Sequence, residues 1–503
     1  MKYLIRFSAI ALILLQFGSC GEDFVSLEPI GTQTEANFYQ TEDEIFQGLL
    51  AVYDVLTWTN GWNMTLGLDN AASDDCFAGG SGPGDQPSWV AYDAFTLNSE
   101  IGPQEGLWNK YYSGIARANL LLEKIDENET ISDEFRARVI AETKFLRGFY
   151  YFDLGNYFGR AILTTSRISP DDILSQQQVS QEEIYNQAIS DFRDAYNTFE
   201  LPTTVAPSDI GRVTKGAAQG YLAKALLYQG GEANLQEAAT LFDNLIESGL
   251  YALESDYGQI FSPLNEWGVE SIFEIQHSDN QRGGWGNFPN GLEGNFNVQF
   301  FGMRDYQGSE LITVDHGAGW SFCPVTPDLV DFLSGDPRME HTIIDGNDLK
   351  LKGATYTEGY QNTDYFIRKY TPLESIRALD GEPALNWRNN EIKMRLADVY
   401  LLAAEAHALT NNLSQANTYV NRVRSRVGLF PGNPGGLDNV LNFIRGERRR
   451  ELATEGHRFL DLVRWGLAPE VLDGFVAGKH EFLPIPQREI DLSGGVLTQN
   501  AGY

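Results

Sequence analysis

Apolar positions recur at three- and four-residue spacing along much of this chain, most clearly between Asn390 and Arg426. Leu396, Val399, Ala403, Ala406 and Leu409 fall on one face of a helix, and the alanines leave room for a second helix to approach. Thr410, Asn411 and Asn412 interrupt the pattern, and Leu413, Ala416, Val420 and Val423 resume it. The spacing predicts two antiparallel helices joined by a short turn. The stretch from Gly220 to Gly249 has the same grammar, with Leu235, Ala238 and Phe242 in the frame of Leu413, Ala416 and Val420. Ala188 and Phe192 repeat its second half.

An alanine followed four residues later by a large apolar residue, on the second helix of a hairpin, is a tetratricopeptide-like packing signature. The period is irregular, so the pattern predicts degenerate repeats. Helical spacing also covers Glu42 to Leu56, Trp108 to Ile125, Phe135 to Tyr157 and Phe443 to Trp465. Two regions break it. Residues 57–98 mix tryptophans with many Gly, Asp, Ser and Asn, and in residues 261–389 helical periodicity fades as glycine and aromatics rise. ESIFEIQH from Glu270 alternates like a strand. The expectation is a mainly α protein, with a helical repeat scaffold over 100–260 and 390–467 and loop-rich variable regions with short strands over 57–98 and 261–389.

The first residues change the picture of where this scaffold works. Lys2 and Arg6 precede an apolar run from Phe7 to Phe17, and Gly18 and Ser19 lead into Cys20. This predicts a signal peptide over residues 1–19, too short to span a bilayer. A cysteine directly after small residues, followed by acidic residues, predicts a lipidated Cys20 as the first residue of a mature chain over 20–503. An ordinary cleaved signal with an incidental cysteine is the alternative. Cys76 and Cys323 are compatible with a disulfide in such a compartment, and sequence leaves their pairing open.

The formal net charge of −32, from 69 acidic and 37 basic residues, excludes nucleic acid as a partner, because phosphate binding needs a basic face. Catalytic signatures are absent: there is no HExxH, G-x-S-x-G elbow, P-loop or paired CxxC. The six histidines are scattered. No metal-ligand set or cofactor motif stands out, and the acidic stretches near Asp74 and Asp345 lack the spacing of a calcium loop. In the stretch from Phe443 to Trp465, Arg448, Glu451, Glu455, Arg458 and Asp461 lie three or four apart, which predicts a helix braced by its own ion pairs.

Binding is better supported. A sugar ring offers an apolar face and a rim of hydroxyls, so its site needs flat aromatics and amide, carboxylate or guanidinium partners. Residues 58–89 and 285–320 supply that mixture, the second with Phe288, Asn290 and Arg304. The candidate ligand-binding residues are Trp62, Trp89, Trp285 and Trp320, with Asp74 and Asp75 as polar partners and the tyrosines between Tyr356 and Tyr370 as an alternative platform.

Several long segments together resemble the SusD/RagB family of outer-membrane nutrient-binding lipoproteins of Bacteroidetes. They are RARVIAETKFLRGFYYFDLGNYFG from Arg136, GRVTKGAAQGYLAKALLYQG from Gly211, ESGLYAL with the following DYGQIF, RGERRRELATEGHRFLDLVRWG from Arg445, and the closing HEFLPIPQREIDLSGG with NAGY. The resemblance implies a SusD-like fold in which four tetratricopeptide-like helix pairs support a variable face. It also implies a surface-exposed outer-membrane lipoprotein, held by its lipid anchor, that passes oligosaccharides to a SusC-like TonB-dependent transporter. A RagB-like peptide-uptake protein is the alternative, and a helical glycosidase is the enzyme-class rival.

Overall fold

The computed structural model describes Glu35 and residues 38–503, apart from Asn60, 280–283 and 288–290. The signal segment and Cys20 lie outside the described residues. Thr41 opens the first helix, α1 (Glu42–Asp54), with a capping box: its hydroxyl accepts the Glu44 N–H, and the Glu44 carboxylate accepts the Thr41 N–H at 3.0 Å. Nine further helices build the frame: α2 (Gln104–Glu127), α3 (Asp133–Phe158), α4 (Gln181–Asn197), α5 (Lys215–Gln229), α6 (Glu232–Glu247), α7 (Leu396–Leu409), α8 (Leu413–Arg426), α9 (Leu437–Leu452) and α10 (Arg458–Arg464).

From α2 to α8 each helix packs on the next, and α9 closes against α7 and α8. The repeated frame explains the stacking. Ala188, Phe192, Ala238, Phe242, Ala416 and Val420 are all fully buried, each alanine letting a neighbouring helix close on the large residue one turn away. The α7–α8 turn falls at Thr410–Asn412, where Asn411 takes φ 64° and Asn412 caps α8 by accepting the Gln415 N–H.

The long insertion between α6 and α7 contributes short strands. β1 (Ser271–Ile275) pairs antiparallel with β4 (Glu391–Arg395), so the insertion starts and ends on one ladder. β2 (Ile343–Asp345) pairs antiparallel with β3 (Tyr365–Ile367). The protein is thus mainly α, with tetratricopeptide-like helix pairs beneath an irregular layer. No helix among the described residues is long and apolar enough to cross a membrane.

One expectation is corrected. The stretch from Phe443 to Trp465 is not a single helix: the chain breaks between α9 and α10, where Thr454 and Gly456 take φ 65° and 76°. Most of its charges pair with other elements. Glu451 receives Arg338 at 2.8 Å, Arg395 at 2.6 Å and Arg426, while Glu455 receives Lys369 at 2.6 Å and Arg395 at 2.7 Å. Arg448 binds Asp398 at 2.7 Å as well as Asp461 at 2.8 Å. These groups are buried, so the network ties the insertion and β4 to the helical frame through the interior.

Candidate functional site

Three tryptophans from distant segments meet on one face of the insertion. The ring centroids of Trp62 and Trp285 are 6.0 Å apart, those of Trp62 and Trp320 5.7 Å, and those of Trp285 and Trp320 6.3 Å. Trp285 and Trp320 are nearly parallel, with 15° between their planes. Trp285 is 51% exposed, so an indole face remains available to a ligand.

The elements beneath explain how the rings are held. The short helix Phe296–Phe301 places Phe296 5.2 Å and Phe300 5.5 Å from Trp62, and Phe300 5.4 Å from Trp320. Trp320 is fixed by its backbone, whose N–H donates to the Gln299 carbonyl at 2.8 Å and whose carbonyl accepts Arg304 Nη2 at 2.6 Å. Gly302 and Gly319 allow this approach, since a Cβ on Gly319 would lie 2.4 Å from the Gly302 Cα. Trp62 takes φ 77°, a left-handed conformation costly for a bulky side chain, and the strain is held by the packing around it. The Trp285 indole N–H donates to Glu382 at 3.2 Å, placing a carboxylate at the platform's edge.

Trp89 does not join this surface, which corrects its reading as a platform residue. It is fully buried, with its ring 5.1 Å from Phe300 and 5.6 Å from Phe322, and its indole N–H donates to the Trp62 carbonyl at 2.9 Å. Any side chain on Gly67 would collide with it, the nearest approach being 2.3 Å. Trp89 is the prop under Trp62.

Asp74 and Asp75 are corrected as well. Asp74 is held in a fork by Arg458 of α10 at 2.7 and 2.9 Å and meets Arg449 of α9 at 3.0 Å. Burial would push its carboxyl up, but the Arg458 and Arg449 guanidinium groups outweigh that and hold it below the usual range. Asp75 is fully buried against Arg449 at 2.8 Å, and burial there pushes the carboxyl up. Asp74 and the Oδ1 of Asp75 clamp their loop onto α9 and α10, while Asp75 Oδ2 is buried without a hydrogen-bond partner.

The thiols of Cys76 and Cys323 are buried and free. Cys323 Sγ donates to the Gly67 carbonyl at 3.3 Å. Of the alternative tyrosines, Tyr370 is buried and Tyr356 donates to Asp364 at 2.7 Å. Phe288 and Asn290 lie outside the described residues. Phe296 and Phe300 were missed, although their four-residue separation is a helical signal at the end of a glycine-rich run. Among the described residues no group of three His, Cys, Asp or Glu side chains is placed to hold a metal ion.

The architecture and the stacked indoles can be set beside known proteins. A model described as the SusD family matches residues 269–480, and one described as starch-binding associating with outer membrane matches residues 84–227. A solved "Laminarin binding SusD-like protein" is 38% identical, covers 92% of this chain and all of its own, and superposes with a TM-score of 0.86. This chain belongs to the SusD/RagB family. Another SusD-like neighbour is surface glycan-binding protein A from Bacteroides thetaiotaomicron in complex with laminarihexaose, at 27% identity, 91% and 99% coverage and a TM-score of 0.82. SusD-like protein P25 from Formosa agariphila is 26% identical over 96% of each chain.

Proposed function

We propose that this SusD-family protein is a non-catalytic, cell-surface glycan receptor whose ligand stacks on Trp285 and Trp320 against Trp62. The observation that carries the reading is the half-exposed Trp285 lying almost parallel to Trp320 in a three-tryptophan cluster. Such a surface matches the apolar face of a pyranose ring, and an oligosaccharide bends across several rings where a planar ligand would not. Relatives described as binding laminarin and laminarihexaose support a glycan over a peptide. Titration of the purified protein with laminarihexaose, a starch oligosaccharide and a mixed peptide library tests the reading. Saturable binding of either sugar, lost in Trp285→Ala, is the expected result; binding of peptides alone would overturn it.

The same proposal places the chain at the outer membrane, lipidated at Cys20 and acting as partner of a SusC-like TonB-dependent transporter. Cys20→Ser, expressed in cells lacking the transporter, is expected to move the protein out of the membrane fraction. Retention there would refute the anchor. Detergent extraction of the native protein is expected to recover a much larger barrel protein alongside it.

A further inference from the structure

A second pocket, distinct in its residues from the tryptophan surface, opens in the insertion between the loop 311–316, β2 and the residues before it, and Arg368 just after β3. Its volume is about 450 Å³, within the range of small-ligand sites. Ile312, Val314, Met339, Ile343 and Leu349 give it an apolar lining. Two polar groups in it stand out.

The first is His316, 7% exposed, whose Nδ1 has no hydrogen-bond partner. Burial and the nearby Arg368 push the imidazole down to about 4, so it is neutral near pH 7 and offers one donor and one acceptor. The second is Arg368, which is half-buried, lines the pocket and has no side-chain hydrogen bond or ion pair among the described residues. An unpaired, partly desolvated guanidinium is costly and has the geometry to take a carboxylate in a two-pronged bond.

The acids around the pocket do not serve it. Asp336 is held by Arg338 at 2.8 Å, Asp348 by Lys352 at 2.6 Å, and Asp345 caps the helix Gly346–Leu351 by accepting the N–H groups of Asn347 and Asp348. Glu340 is turned to solvent, its side chain 79% exposed beside His341. Arg368 is therefore the uncommitted charge in a pocket whose other ionic groups are already paired, capping or solvated.

We infer that this pocket is a second ligand site, taking a small molecule that carries a carboxylate on a partly apolar body. The carboxylate pairs with Arg368, a neighbouring hydroxyl or amide meets His316, and the body lies on Ile312, Val314 and Met339. A uronic acid unit of a saccharide and the C-terminal residue of a short peptide both present this chemistry.

The test is titration of the full chain, purified in detergent, with four probes: a glucuronic acid disaccharide, its methyl ester, a short apolar peptide with a free C-terminus, and the same peptide amidated. One of the two acids is expected to bind at least about tenfold tighter than its neutral partner, and the acid that does so names the source. Arg368→Gln is expected to remove that preference, whereas Trp285→Ala keeps it. Arg368→Lys, which retains charge without the fork, is expected to bind at an intermediate level, and unchanged melting temperatures show that both variants fold. Equal binding of each acid and its neutral partner, no saturation by either acid, or a preference that survives Arg368→Gln would overturn the inference.

Discussion

Trp62, Trp89 and Trp285 carry the same side chain in similar glycine-rich surroundings, yet the structure gives them different work. Trp285 is exposed on one face, Trp62 is partly buried and strained, and Trp89 is wholly enclosed. Their replacements should therefore separate. Trp285→Ala is expected to weaken glycan binding by about 1–3 kcal/mol while leaving thermal unfolding almost unchanged, since it removes a contact made mainly with the ligand. Trp89→Ala is expected to destabilise by about 3–5 kcal/mol, as large core truncations do, and to weaken binding only through loss of the support under Trp62. Calorimetry of both variants with and without sugar checks the contrast. An equal drop in melting temperature for the two would mean that Trp285 is also a core residue. Sequence could not tell these tryptophans apart, because the enclosure of Trp89 on the helix Pro87–Asp93 depends on Phe300 and Phe322, which arrive from more than two hundred residues away.

At the scale of elements, the helices were legible wherever their apolar faces follow the repeat. The alanine frame located α6, α7 and α8, and the Thr410–Asn412 turn fell where the spacing lapsed. The α9–α10 break was not legible, because the charge spacing across it is equally compatible with an unbroken helix. What decides the matter is the demand of Arg338, Arg395, Arg426 and Lys369, which approach from elsewhere in the fold and draw Glu451 and Glu455 inward.

This network makes a prediction about acid. Burial alone would raise the Glu451 and Glu455 carboxyls, but the surrounding arginines prevail and hold both below the usual range, Glu451 well below it. Carboxylates lowered in this way add stability that is complete above the unfolded value of about 4.3 and is lost as pH falls through the folded values. Glu451→Gln is expected to cost about 3–5 kcal/mol at pH 7, because it strands buried cations, and to flatten the fall of stability on the acid side. Urea unfolding of both proteins between neutral pH and pH 3 reads this directly. Parallel curves would show that Glu451 is not a principal acid-sensitive group.

For the whole molecule, the net charge of −32 surrounds the protein with a negative field. Arg338, Arg395 and Arg448 are among the largest fully enclosed side chains, but each lies against buried carboxylates, so the interior charges largely cancel and the field comes from the surface acids. Stacking on indoles does not draw on that field. Binding of a neutral glycan is therefore expected to be the same at low and high salt, whereas a strong salt dependence would point to a charged ligand on the tryptophan face. The family could be read from long scaffold motifs, and the variable face could not, since its loops follow no shared pattern. That face has a mechanical side. Its one exposed and two partly buried rings come from segments distant in sequence, so a sugar lying across them acts as a removable stitch. Limited proteolysis of the whole protein should slow when the sugar is present and resume when it is washed away.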